Sequence, residues 1–203
     1  MLTINSIGSN IPIEVSLGGT NATSFATNTG IVKYDGTRLV TSSTAKVDAS
    51  NRFVNASQPA FCAYRSSLQA NVTGNGTAVS LVYDTELYDI TNNYNNATGV
   101  FTAPVDGLYS FTASFLSVPA NNATQVYIYI NKVSEGGYVR PETFAHNASL
   151  ETNYVIMHKE IQVAAGDGVR VQAIVAGTNK TSSFFGIANT TELFSAFYGH
   201  LIS

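Results

Sequence analysis

Three acids crowd one short run of the chain, Asp84, Glu86 and Asp89, and carboxylate oxygens at that density are the hard ligands calcium takes. Asp84 and Glu86 share parity on a strand-like run, so a solvated face beside a turn is the competing reading. His146, His158 and His200 stand singly and Cys62 is the one cysteine. That leaves neither an intrachain disulfide nor a Cys-x-x-Cys metal knuckle, and a small buried apolar role suits Cys62. Gly-x-Ser-x-Gly, a Walker-type phosphate loop, Gly-x-Gly-x-x-Gly and His-Glu-x-x-His do not occur, so hydrolase and nucleotide chemistry lack their usual signatures. Glycosidase chemistry needs two carboxyls about 5–9.5 Å apart, a spacing no sequence displays. For ligand contact the candidates are loops. Glu135–Gly136–Gly137–Tyr138–Val139–Arg140 joins a flexible Gly pair to Tyr138 and Arg140, and Asn179–Lys180–Thr181–Ser182 is a polar run beyond a strand. Tyr and Arg carry much of the energy at binding surfaces, and loops on a rigid scaffold are where such residues sit. The competing reading of both is an ordinary connection.

The composition says what must hold those residues. Apolar types make up 44% of the chain and charged types 11%, well below the roughly 25% charged of an average domain. Ser, Thr, Asn and Gly fill the gap, and these favour turns, caps and strand faces over helix interiors. A net charge of −3 with 10 Lys and Arg offers no basic stripe for phosphates or anionic lipid, which excludes nucleic acid and an anionic membrane surface as partners. No apolar run approaches the roughly 18 residues of a membrane helix, so membrane insertion is not expected. Met1–Asn10 has no basic or continuous apolar stretch, and no secretory signal is read there.

The chain divides by pattern into 1–58 and 59–203. In the first part small polar residues dominate, and apolar ones come in short pieces such as Ile11–Ile13–Val15–Leu17. Ordering a residue costs about 1–2 kcal/mol, which one copy of such a segment does not offset; either it is disordered or identical copies pack together. Lys33–Tyr34–Asp35–Gly36–Thr37–Arg38 reads as a hairpin with a two-residue Asp-Gly turn. From Pro59 onward strand follows strand. Tyr109, Phe111, Ala113 and Phe115 alternate with Ser110, Thr112 and Ser114, the period of two of a half-buried strand. Val169, Val171, Ala173 and Val175 repeat it after Gly166–Asp167–Gly168, which reads as the turn of a hairpin. Val126–Tyr127–Ile128–Tyr129–Ile130 and the run Leu193–Ile202 are apolar on both faces. A second apolar face needs a cover, and a neighbouring subunit is the simplest one.

Three motifs in order carry a resemblance. Tyr88 precedes a short loop that leads into Gly99–Val100–Phe101–Thr102–Ala103–Pro104 and Gly107–Leu108–Tyr109–Ser110–Phe111. Ala165–Gly166–Asp167–Gly168–Val169 comes later, and Phe197–Tyr198–Gly199–His200–Leu201 lies at the close, with Pro59–Ala60–Phe61 at the start. This resembles the globular head domain of complement C1q. The resemblance implies an all-β, ten-strand jelly-roll β-sandwich of the C1q and tumour necrosis factor type, assembling as a homotrimer, preceded here by a short-stranded trimeric shaft or linker. It also brings calcium into view as a cofactor, with Asp84, Glu86 and Asp89 as candidate ligands. Ser16–Leu17–Gly18–Gly19–Thr20 and Tyr34–Asp35–Gly36–Thr37–Arg38 are similar to stretches of bacteriophage tail-fibre proteins. Together these imply a non-enzymatic receptor-binding or adhesion tip of a tail fibre, in the virion or at a cell surface, holding a cell-surface glycan or protein. The alternatives are a bacterial C1q-like adhesin, a virion decoration protein and a glycan-cleaving tailspike.

Overall fold

The computed structural model describes residues 30–37, 39–73, 76–118, 123–135, 142–145, 153–177, 182–187 and 193–203. Contacts divide the chain into two compact units, Met1–Ser57 and Gln58–Ser203. Strands make up all the regular structure among the described residues.

In the first unit β1 (Gly30–Tyr34), β2 (Leu39–Val47) and β3 (Phe53–Asn55) form an antiparallel sheet in that order. The β1–β2 hairpin forms where Asp-Gly marks it, but its loop is longer than two residues. Tyr34 pairs with Leu39, so positions 35–38 form the connection. A two-residue type I′ turn needs positive φ at both central positions. Here Asp35 instead turns the chain by accepting the Thr37 N–H on its carboxylate at 2.9 Å, and Gly36 takes the positive φ of 103°. No described residue of this unit is buried; Tyr34 and Phe53 are 58% and 63% exposed. This sheet therefore has no core of its own.

The second unit contains β4 (Ala60–Tyr64), β5 (Gln69–Thr73), β6 (Val79–Ser80), β7 (Thr85–Asp89), β8 (Tyr94–Asn95), β9 (Val100–Thr102), β10 (Gly107–Val118), β11 (Ala123–Lys132), β12 (Glu142–Ala145), β13 (Asn153–Val163), β14 (Gly168–Gly177), β15 (Ser182–Phe184) and β16 (Ala196–Leu201). One sheet runs β5-β15-β10-β16-β4-β7 with β13 also on β10, and the other runs β12-β11-β14-β9-β8 with β6 also on β14. These are thirteen segments where ten strands are expected from the resemblance, because short pieces such as β6, β8 and β15 pair for only two residues each. All pairings are antiparallel, so the sheets pack as a sandwich of the jelly-roll kind.

The period-two pattern locates the core. Tyr109, Phe111, Ala113 and Phe115 of β10 are fully buried, and so are Val169, Val171 and Ala173 of β14 from the facing sheet. Phe61 stands at the centre, stacked on Phe101 at 4.8 Å and Tyr94 at 5.0 Å with Phe197 edge-on at 5.0 Å. Such aromatic pairs add about 0.5–1.5 kcal/mol each beyond burial. The two buried phenols beside this cluster are satisfied: Tyr83 donates to Ser114 O and Tyr94 to Tyr83 O, both at 3.0 Å. Lys159 points inward from β13 and donates to Ile130 O of β11 at 3.0 Å, tying the two sheets together at an open side.

Gly166–Asp167–Gly168 does not close a hairpin. β13 pairs with β10 in one sheet, while β14 pairs with β11 and β9 in the other. Gly166 supplies the positive φ of the turn, but turn chemistry bends the chain without choosing which sheet receives the next strand.

Candidate functional site

Continuous register across β13, β10, β16, β4 and β7 decides which residues share the outward face of the first sheet. Thr112 pairs with His158 and Tyr198, Tyr198 pairs with Cys62, and Cys62 pairs with Tyr88. One residue row thus crosses five strands. The next row carries Ser114 and Ile156, with Ala196 tied to the Ser114 hydroxyl. Toward the other end Ser110 pairs with both Glu160 and His200.

Small residues on this face lie under large ones. Cys62, Ser114 and Ala196 are buried, whereas Tyr88, Tyr154, Ile156 and Tyr198 are each between 43% and 50% exposed. Together they shape a depression of about 360 Å³. Burial pushes the Cys62 thiol up, away from the thiolate form that reacts. Burial, followed by the neighbouring Cys62 and Tyr198, raises the Tyr88 phenol as well. Thr112 Oγ1 and His158 Nδ1 lie 3.0 Å apart, and His158 and His200 are exposed. The face is therefore aromatic, half-wet and almost free of formal charge, suited to packing against another surface.

The acids read from the sequence do not converge. Asp84 and Asp89 bracket the extended β7, which puts them about 16 Å apart at strand rise. Asp84 pairs with Arg65 at 3.1 Å and accepts the Ser66 N–H at 2.8 Å. One Asp89 oxygen accepts the Tyr94 N–H at 2.7 Å while the other is buried without a partner, and Glu86 is exposed. Among the described residues no group of three His, Cys, Asp or Glu gathers as a metal site. Two of the three acids instead fasten loops.

Tyr138, Arg140, Asn179 and Lys180 lie outside the described residues, as does His146. The strands that flank them are described and separate them. Positions 133–141 join β11 to β12 beyond Lys132, and 178–181 join β14 to β15 beyond Gly177. Since Lys132 pairs with Val169 and Ala123 with Gly177, the two connections leave opposite ends of the sheet, about 30 Å apart along β11.

The tyrosines of the outward face were only partly legible. Tyr198 falls in a run apolar on both faces, and the same signal was present in Tyr154–Val155–Ile156–Met157, where Val155 and Met157 are buried and Tyr154 and Ile156 are exposed.

The motif residues now have physical roles. Gly99 takes φ of 73°, and a Cβ there would sit 2.6 Å from Leu81 O. Gly199 lies against the Phe111 ring, where a Cβ would collide. Tyr109 closes the loop before its strand by donating to Val105 O at 3.0 Å, and Phe101, Phe111 and Phe197 fill the core. Among the described residues no helix is long and apolar enough to cross a membrane. Among solved structures the chain is similar to the globular domain of zebrafish complement 1qA protein, at 17% identity and a TM-score of 0.47 over 71% of this chain and 98% of that one. The family model of the C1q domain matches residues 60–202, a span containing every one of these motif positions, and the chain belongs to the C1q domain family.

Proposed function

We propose that this protein is a homotrimeric, non-enzymatic receptor-binding tip, the distal part of a bacteriophage tail fibre that holds a cell-surface glycan or protein. The C1q domain is a recognition module, and its proteins commonly act as trimers outside cells. The observation that carries the threefold reading is the outward face of the first sheet. Tyr88, Tyr154, Ile156 and Tyr198 expose close to half their surface there, and a contiguous apolar patch of this kind marks a surface made to be covered. The first unit supports the same reading, because no described residue of its sheet is buried in one copy and such sheets need a partner surface to persist. It would serve as the shaft.

Three copies on one axis turn a weak contact into a firm one, since later contacts are effectively intramolecular. Ligand contact is assigned to loops of the second unit, with Tyr138, Arg140, Asn179 and Lys180 as the candidates. Sedimentation equilibrium of the full chain, followed by binding to a panel of bacterial cells and surface glycans, tests this. A mass of three chains, with cell binding that weakens on Lys180→Ala, is expected. A single-chain mass at micromolar concentration removes the threefold reading. A trimer that binds nothing on the panel, and does not compete with infection, favours a structural decoration protein instead.

A further inference from the structure

We infer that the assembly is acid-labile, with His158 and His200 as its switch, an inference that rests on the threefold reading above. Both imidazoles project from the outward face of the first sheet, His158 from β13 and His200 from β16, and both are exposed in a single copy. That face is the one the assembly covers. Histidine is the side-chain type that changes charge between about pH 5 and 8, so acidification delivers two new positive charges per copy to a surface that packing has dried.

The surroundings decide whether those charges find partners. His158 faces Thr112 of β10, whose hydroxyl is 3.0 Å from Nδ1; along its own strand it is flanked by Ile156 and Glu160. On the same row beyond Thr112 lie Tyr198, Cys62 and Tyr88. His200 faces Ser110 of β10 and Ala60 of β4, with Tyr198 beside it on β16. Glu160 is the one carboxylate in these rows: it lies two residues from His158 along β13, about 7 Å at strand rise, and is reached from His200 only across Ser110, about two strand spacings or 10 Å away. One carboxylate at those distances does not balance two imidazolium groups, and a buried charge without a close partner is strongly unfavourable. The hydroxyl beside His158 accepts a hydrogen bond but supplies no charge. Protonation therefore separates the copies while leaving each sandwich intact, since both rings lie outside its core.

Sedimentation velocity of the full chain at pH 7.5 and pH 5.0 tests this, with near-ultraviolet circular dichroism to follow the fold. The expected result is a trimer at pH 7.5 whose dissociation constant rises at least about 100-fold at pH 5.0, about 2.7 kcal/mol. The doubly substituted chain His158→Gln, His200→Gln is expected to stay trimeric at both values. A wild-type trimer that persists at pH 5.0 overturns the inference, and so does a Gln variant that dissociates in parallel with the wild type. A single-chain mass already at pH 7.5 strikes the threefold reading itself, and is distinguishable from either.

Discussion

At the scale of single residues, glycines and buried tyrosines set the sharpest limits. Gly199 is required because its neighbour across the strand is the Phe111 ring. Gly199→Ala forces that ring off its rotamer within the aromatic core, and a loss of about 1–3 kcal/mol in urea unfolding is expected. Tyr83 and Tyr94 matter through their protons. Burial holds both phenols well above their usual range. An unfolded chain releases these protons near pH 10, while the folded chain keeps them, so the unfolded state binds fewer protons above that value. Their stabilising effect is whole below about pH 10 and is lost as pH climbs beyond it, with a slope of up to about 2.7 kcal/mol per pH unit for two groups. Urea midpoints measured from pH 9 to 11.5 should fall along that curve, and Tyr94→Phe should flatten it. A midpoint indifferent to pH over this range would show that the hydroxyls are not held as described.

At the scale of elements, one side chain gathers three loops. Arg65 donates to Ser67 O at 2.9 Å and Val82 O at 3.3 Å, pairs with Asp84 at 3.1 Å and lies 5.9 Å from the Phe184 ring. Gly186 fits beneath it only because it lacks a side chain, since a Cβ would come within 2.5 Å of the Arg65 stem. Arg65 is nearly buried whereas Asp84 is partly wet, so the ion pair itself is screened and the backbone bonds dominate. Asp84→Ala removes the acceptor for the Ser66 N–H and frees Arg65 from its carboxylate; a cost of about 1–3 kcal/mol is expected. Hydrogen exchange should show faster amides at 65–67 and 185–187 while the β10–β13 pairing is unaffected. Uniform loss of protection across both regions would mean that Asp84 supports the whole sandwich rather than this corner.

At the scale of the whole molecule, the outward sheet face governs. A charge placed there should act on assembly and not on folding. Ile156→Glu puts a carboxylate among Tyr154, Tyr198 and the small residues beneath them, on a side chain already 46% exposed in one copy. A chain that keeps its thermal unfolding profile at low concentration but sediments as a single copy is the expected outcome. If the variant remains a trimer, this face is not the one between copies. The C1q domain spans residues 60–202, and the shaft role proposed for the first unit falls with the proposed trimer.

Much of this protein was written in local pattern. The alternation of Tyr109, Phe111, Ala113 and Phe115 assigned β10 and its buried face, because strand geometry sends successive side chains to opposite sides whatever lies around them. The spacing from Gly99 to Phe111 carried the resemblance, since motif residues answer fixed steric demands, Gly99 against the Leu81 carbonyl and Gly199 against the Phe111 ring. Pairing across distance was not written there. Gly166 marked a turn but not that β13 and β14 join different sheets, and the run of Asp84, Glu86 and Asp89 offered both a calcium site and a solvated strand face without showing that the extended β7 separates Asp84 from Asp89. Sequence records what each residue prefers beside its neighbours in the chain; which strands lie side by side depends on long-range packing of the assembled core, and only the tertiary structure decides it.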